Sequence, residues 1–435
     1  MSERILIRGG WVLTLGARTS NHAEADVLIE GDTITEVGPR LRARDAEVID
    51  ASTAIVMPGF VDTHRHAWMS LFRNLGDGTG FDTLAPHHTP DDAYAATCIG
   101  LYGAIEAGIT TVVDWSDIQL DESYTEAVLQ AHADAGIRTV FVHATPPWAE
   151  TAREAALAAL ASRPSPSPMT TFAVGPSDPD PADLDGSTTE WALARDHGWR
   201  IHAHCGRRAS DTGVATALAA GGRLGADVTL IHCSRLDDAD LDAIAGSGAE
   251  VAITPSAEMT GGLGAPPMQR MIDRSIRPGL GIDDERIGPG DVFAQMRAAI
   301  SIQHGHHFDL KLAGKGGLPN LLTTREVIRY ATSDGARVAG LGSATGSLEP
   351  GRQADVLVLH TDRPNIHPIN DPIGAVVWGM DTSNVSSVIA GGRVLVRDGE
   401  LQTDTAAIRQ RALEARRRVT EAAGIAPVGA GGGGR

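Results

Sequence analysis

The alternation of apolar and polar positions changes character twice along this chain. Residues 5–14 and 25–34 are short, strand-like runs, and Gly31-Asp32 marks a turn between two paired strands. Similar runs return near the other end, at 354–359 and 385–396. Between them, from about 57 to 344, apolar runs alternate with helical segments, the pattern of a parallel sheet built from βαβ units. The apolar run 54–57 leads through Pro58-Gly59 into a first strand. Further strands are expected at 110–114, 139–143, 171–175, 200–204, 228–232, 251–254 and 279–283, which makes eight. Helices are expected between them, among them 92–107, 124–135 and 237–245. The pattern predicts an α/β protein. A (β/α)8 barrel over 57–344 would carry a small composite β-sandwich domain built from 1–56 and 345–403, then a terminal helix over 404–424. The Gly-rich tail, 425–435, is expected to be flexible.

Composition narrows the class. The chain has 435 residues, 42% of them apolar and 4% aromatic, and no run approaches a membrane span. A formal net charge of −18 argues against nucleic acid and anionic membranes as partners. Cys98, Cys205 and Cys233 are too few for a disulfide framework, and no charged-then-apolar leader opens the chain, so a cytoplasmic protein is expected.

The polar residues at the predicted strand ends carry the chemistry. Side chains at i and i+2 of a strand point to one side, so His64 and His66 present two imidazoles to one place. Strand five ends in His202 and His204, strand six in His232 and strand eight in Asp283. The carboxyl ends of barrel strands converge, so these groups can meet around one ion. Imidazoles with a carboxylate suit zinc or ferrous iron, with a position left for water. An ion there would lower the pKa of that water towards neutrality, and Asp283 would either ligate the ion or accept the proton.

Five landmarks then converge: Pro58-Gly59-Phe60-Val61-Asp62-Thr63-His64-Arg65-His66; His204; Leu230-Ile231-His232-Cys233; Gly279-Leu280-Gly281-Ile282-Asp283; and Gly346-Ser347-Leu348-Glu349-Pro350-Gly351-Arg352-Gln353-Ala354-Asp355. Over about residues 3–424 the chain resembles the amidohydrolase superfamily, in the branch with cytosine deaminase, S-adenosylhomocysteine-type deaminases, guanine-type deaminases and triazine hydrolases. The resemblance implies a barrel with a composite β-sandwich and one divalent metal ion, Zn2+ or Fe2+, held by His64, His66, His204 and Asp283. It places His232 near the metal or its water, and it implies a homo-oligomer. Another branch of the superfamily bridges two metals with a carbamylated lysine. The only lysines here, Lys311 and Lys315, lie at no predicted strand end, which favours one metal.

The departures from that branch bear on the reaction. Its deaminases carry a proton-shuttling glutamate three residues after the strand-five histidine. His204-Cys205-Gly206-Arg207 has an arginine, which stays protonated at neutral pH. Gly175-Pro176-Ser177-Asp178 has Ser177 where the branch has histidine, and Thr254-Pro255-Ser256-Ala257-Glu258 replaces a Pro-Ser-Ser-Asn pattern. Arg207 is either a structural arginine or a substrate-binding one, matched to an anionic or strongly polar group. Glu258 is either the replacement proton carrier or a solvated loop carboxylate. Ser177 is a candidate for the substrate pocket, and Trp68 is either packing or a wall of that pocket. His202 is open between ligation and an inner layer of the barrel. Arg65 is expected to point away from the metal, and His87, His88, His304, His306 and His307 are expected in loops. The leading reading is a hydrolase that directs activated water at a carbon–nitrogen bond of an N-heterocycle or cyclic amide, with Asp283, His232 and Glu258 handling protons. Displacement or ring opening without amine loss, as in dechlorinases, is one alternative. A small-molecule-binding barrel that has lost catalysis is the other, although it would have been free to lose its ligands.

Overall fold

The computed structural model describes residues 4–75, 80–146, 153–181 and 188–425, and the structural statements below concern those. Eight strands form one sheet in chain order: Phe60–Arg65, Ile109–Ser116, Arg138–Ala144, Thr170–Gly175, Arg200–Cys205, Val228–His232, Glu250–Ile253 and Gly279–Leu280. All seven ladder pairings are parallel, and only the seam, where strand eight returns to strand one, lacks a ladder. There the His64 carbonyl accepts from the Ile282 and Asp283 amides at 3.0 and 2.8 Å, and Arg65 and Asp283 form an isolated bridge. The expected (β/α)8 barrel is present, nearly closed. Strand eight is shorter than its apolar run suggested. Asp283 takes φ +66°, a left-handed conformation that ends ladder pairing.

Strands covered on both faces read as continuous apolar runs. Every residue of Ile109–Ser116 and Arg138–Ala144 is accordingly buried. An interior cluster of Val61, Val113, Val140, Val142 and Ile231 continues into Ala336, Val338 and Ala339. The helices start at polar caps that lie outside the apolar periodicity. Pro90–Glu106 opens at a Thr89/Asp92 capping box with Pro90 in its first turn, two residues before the expected start. Glu122–Ala135 ends at Gly136, whose φ of 69° suits a residue without Cβ.

The chain ends meet in a nine-stranded mixed sheet. His22–Glu30 and Thr33–Gly38 pair across Gly31-Asp32 as expected. Ala54–Pro58 pairs antiparallel with Val356–His360 and runs on directly into barrel strand one. Arg138, at the start of strand three, holds Asp355 of the sheet at 2.7 Å, both buried. Removing one partner of such a pair typically costs about 3–5 kcal/mol. The terminal helix, Ala406–Ala422, packs on Pro90–Glu106 through buried Ile408, Ala412, Ala415 and Val419. Most of the Gly-rich tail lies outside the described residues. None of the described helices is long and apolar enough to cross a membrane.

Candidate metal centre and active-site cavity

Three of the candidate ligands sit on either side of the seam and one stands across the barrel. His64 and His66 lie at the end of strand one, Asp283 follows strand eight, and His204 lies at the end of strand five. Four donors placed tetrahedrally about 2.0–2.2 Å from an ion stand about 3.3–3.6 Å from one another. Here the His64 and His204 Nε2 atoms are 3.3 Å apart, and Asp283 Oδ1 is 3.4 Å from Nε2 of both His64 and His66. His232 brings a nitrogen to within 4.8 Å of those of His64 and His204. The donors fall into two triples that share His64, one with His66 and Asp283 and one with His204 and His232, and their chemistry suits a divalent ion.

The surroundings settle which nitrogen faces inwards. Asp117 Oδ1 accepts from the indole Nε1 of Trp68 at 2.7 Å and lies 3.0 Å from His66 Nδ1. Indole only donates, so this oxygen is an acceptor and His66 Nδ1 carries a proton, which leaves Nε2 to face Asp283. Glu258 does the same for His232. Its Oε1 accepts from the Thr254 amide at 2.9 Å and lies 3.1 Å from His232 Nδ1.

Electrostatics agree with a cation site. Burial works against charge on His66, but the Asp117 carboxylate beside it prevails and pushes its pKa up to about 10. Burial would raise Asp283, yet hydrogen bonds with His64 and His66 hold it well below the usual carboxylate range. Burial lowers His64 to about 4, and lowers His232 to about 4 against the pull of Asp283. His204 is pushed well down by burial and then by Arg207. Positive charge is thus drawn to the carboxylates while three imidazoles stay neutral.

Two of these residues hold strained backbone. His232 has φ +76° and Asp283 φ +66°, where non-glycine residues cost of order 1–3 kcal/mol each. Such strain persists where surrounding contacts over-determine the conformation. At Gly281, a Cβ would meet the His64 backbone N and O at 2.8 Å, so only glycine lets strand eight come this close.

A cavity of about 740 Å³ opens above the cluster. Trp115 forms one wall, its ring 4.2 Å from that of His204, in space that a side chain at Gly175 would take (2.9 Å). Met69, Phe81, Leu263 and Ile287 add apolar surface. Polar groups from the loops after strands three to five form the opposite rim. Arg207 lines the cavity in an ion pair with Asp178, with about a third of each side chain exposed. Asp178 also lies 3.7 Å from His204 Nδ1. Ser177 lines the cavity too, its hydroxyl accepting from Arg153 and its amide donating to Glu190 at 3.0 Å.

Other sequence candidates stand elsewhere. Trp68 is 1% exposed, packs edge-on against Phe81 and His88, and is not part of the cavity lining. The expectation that it contacts substrate is replaced by its hydrogen bond to Asp117. Glu258 is fully buried behind His232 rather than a solvated loop residue, and burial holds its carboxyl pKa well above the usual range. His202 lies in the barrel interior with neither ring nitrogen bonded, outside the ligand groups. Arg65 points away from the cluster into a buried pair with Asp62, as expected. His304, His306 and His307 are on the helix Val292–Leu312 rather than in a loop. Asp117, Asp178, Trp115 and Arg153 had no assigned role in the sequence reading. The signal available was an acidic residue just past the ends of strands two and four.

The model described as "Amidohydrolase family" matches residues 55–395. The 5'-deoxyadenosine deaminase of Methanothermobacter thermautotrophicus is 29% identical over 426 residues, 92% of this chain and 95% of that protein. A 5-methylthioadenosine/S-adenosylhomocysteine deaminase of Thermococcus onnurineus is 29% identical over 421 residues, 91% of this chain and 95% of that one. The zinc complex of an atrazine chlorohydrolase from Arthrobacter aurescens superposes with a TM-score of 0.80 at 23% identity, covering 95% of this chain and 100% of the other. An adenosine deaminase from Xanthomonas campestris with bound zinc has a TM-score of 0.79 at 20% identity, covering 96% and 98%.

Proposed function

This chain belongs to the amidohydrolase family as a metal-dependent hydrolase of non-peptide C–N bonds, and we propose that its substrate is a planar N-heterocyclic or cyclic amide small molecule with zinc as the ion. The observation that carries this reading is the gathering of donors around His64, with the His64–His204, His64–Asp283 and His66–Asp283 atoms 3.3–3.4 Å apart, beneath the Trp115 wall. An ion held by these residues would supply Lewis-acid chemistry and an activated water. The protein's own groups do the rest. Trp115 presents a flat face for a ring, and the apolar wall excludes bulk water. Asp283 offers Oδ1 to the cluster while Oδ2 lies 3.5 Å from the Thr254 hydroxyl, which leaves a second oxygen for a proton. His232, neutral and held through Nδ1 by Glu258, turns its free nitrogen inwards as a hydrogen-bond acceptor. Glu258 acts through His232, as a positioning residue.

Arg207 supports a second reading, hydrolytic displacement or ring opening without amine loss. The position that is glutamate in the deaminase pattern is here a cation engaged by Asp178, and a guanidinium cannot deliver protons in turn to a ring nitrogen and a leaving amine. The deciding experiment combines metal content by plasma mass spectrometry with a heterocycle panel assayed for ammonia and for other released groups. Near one equivalent of zinc, lost in Asp283→Ala, with ammonia released, supports the first reading. Turnover with no ammonia supports the second. No stoichiometric metal after reconstitution sinks both.

A further inference from the structure

The seam of the barrel is where the candidate ligand cluster is most easily loosened. Strands one and eight share no regular ladder, and the backbone contacts across them are few: His64 O with the Ile282 and Asp283 amides, and Asp283 O with the His66 amide at 3.1 Å. Yet His64, His66 and Asp283 face one another across this junction at 3.4 Å. Something other than a ladder must hold the register.

Asp62, Arg65 and Glu285 bridge it. Asp62 Oδ1 accepts from the Ile282 amide at 3.0 Å and from the His64 amide at 3.3 Å, so one oxygen ties the two ligand-bearing segments. Its Oδ2 accepts from Arg65 Nε at 2.6 Å. Arg65 Nη1 stands 3.2 Å from Glu285 Oε2, two residues beyond Asp283, and Nη2 donates to the Gly290 carbonyl at 3.1 Å. Glu285 in turn accepts from Arg73 Nε at 3.0 Å and from the Ser70 hydroxyl. Asp62 and Arg65 are fully buried and Glu285 is 8% exposed. Arg65 thus alternates in sequence with the two histidines but works on the other side of the strand, between a carboxylate before the ligands and one after Asp283.

We propose that Asp62, Arg65 and Glu285 form a buried clamp across the seam whose function is to fix the His64–His66–Asp283 spacing and so set the affinity for the divalent ion. The clamp rests on the reading of those three residues as ligands. A guanidinium can reach both carboxylates at once in a rigid fork, which an ammonium cannot. A buried ion pair is by itself weak evidence of stability, and its better-attested role is to specify geometry.

The test compares two buried arginines, one at the seam and one remote from it. Arg65→Met, Arg65→Lys and Arg138→Met would be prepared, with zinc affinity measured by competition against a chromogenic chelator and thermal unfolding of each metal-free protein followed in parallel. Arg65→Met is expected to weaken zinc about 10- to 100-fold, the range for lost outer contacts of a metal site, with Arg65→Lys between it and the parent. Arg138→Met, which breaks only the barrel–sheet pair, is expected to lower the unfolding temperature and leave zinc affinity unchanged. Equal zinc affinity in Arg65→Met and the parent overturns the clamp, as does an equal loss in Arg65→Met and Arg138→Met. Should Arg65→Met not fold, Glu285→Gln keeps the Asp62–Arg65 pair and is expected to weaken zinc roughly 3- to 10-fold, a smaller outer-contact loss. No change there overturns the proposal. A parent protein that takes up no zinc removes the ligand reading itself, which separates that failure from failure of the clamp.

Discussion

The floor and the rim of the cavity are built by different physics. On the floor, His66 leans on the half-buried Asp117 carboxylate at 3.0 Å and His232 on the fully buried Glu258 carboxyl at 3.1 Å. These contacts are less exposed than those at the rim, and His232, like the neighbouring Asp283, holds left-handed backbone. At the rim, Arg207 pairs with Asp178 while both side chains stay about a third exposed. Solvent screens such a pair, and exposed pairs contribute about 0–1 kcal/mol. A rigid floor suits chemistry that is the same in every turnover. A rim of exchangeable ion pairs suits recognition, because a substrate group can replace a partner at little cost.

Asp117→Asn should expose the difference most sharply. The amide keeps its size but loses the charge that holds His66, and zinc affinity is expected to fall about 10- to 100-fold in a chelator competition. Unchanged affinity would mean that the floor does not depend on its outer carboxylates. His143, buried at the end of strand three, gives the next effect. Burial holds its pKa down at about 4 against an ordinary 6.5. Between those values the unfolded chain binds a proton that the folded one refuses, so stability is intact above pH 6.5 and falls as pH drops towards 4. The loss from this one group is roughly 3 kcal/mol at its limit. Denaturant unfolding across that window should show a shallower decline for His143→Leu, and parallel curves would remove His143 as its source. The smallest effect belongs to Arg207→Gln. Stability should change by less than about 1 kcal/mol, while KM for a turned-over substrate rises and zinc content stays the same. A loss of zinc in this variant would show that rim and floor are not separate.

The same division decides how much could be read from the chain. Period and spacing were enough for the barrel, because parallel strands covered on both faces must be continuously apolar and their polar ends stand out. His64, His66, His204, His232 and Asp283 were visible for that reason. Trp68 stayed open between packing and pocket wall because nearness in sequence to a ligand says nothing about which side of a turn the indole takes. Glu258 was legible as a carboxylate near a strand end, but not as one buried behind His232. Asp117 and Asp178 went without roles because their meaning lies in partners 51 and 29 residues away, His66 and Arg207.

By itself, then, the sequence determined the strand count and the residue types at the strand ends, Arg207 among them, all of which are local facts of pattern and chemistry. Only the tertiary structure decided which oxygen faces which nitrogen, that Asp283 breaks from its strand to reach His64 and His66, and that Arg65 spans the seam. Those outcomes depend on closure of the barrel. Closure brings together residues more than two hundred positions apart, and no local preference encodes the distance between them.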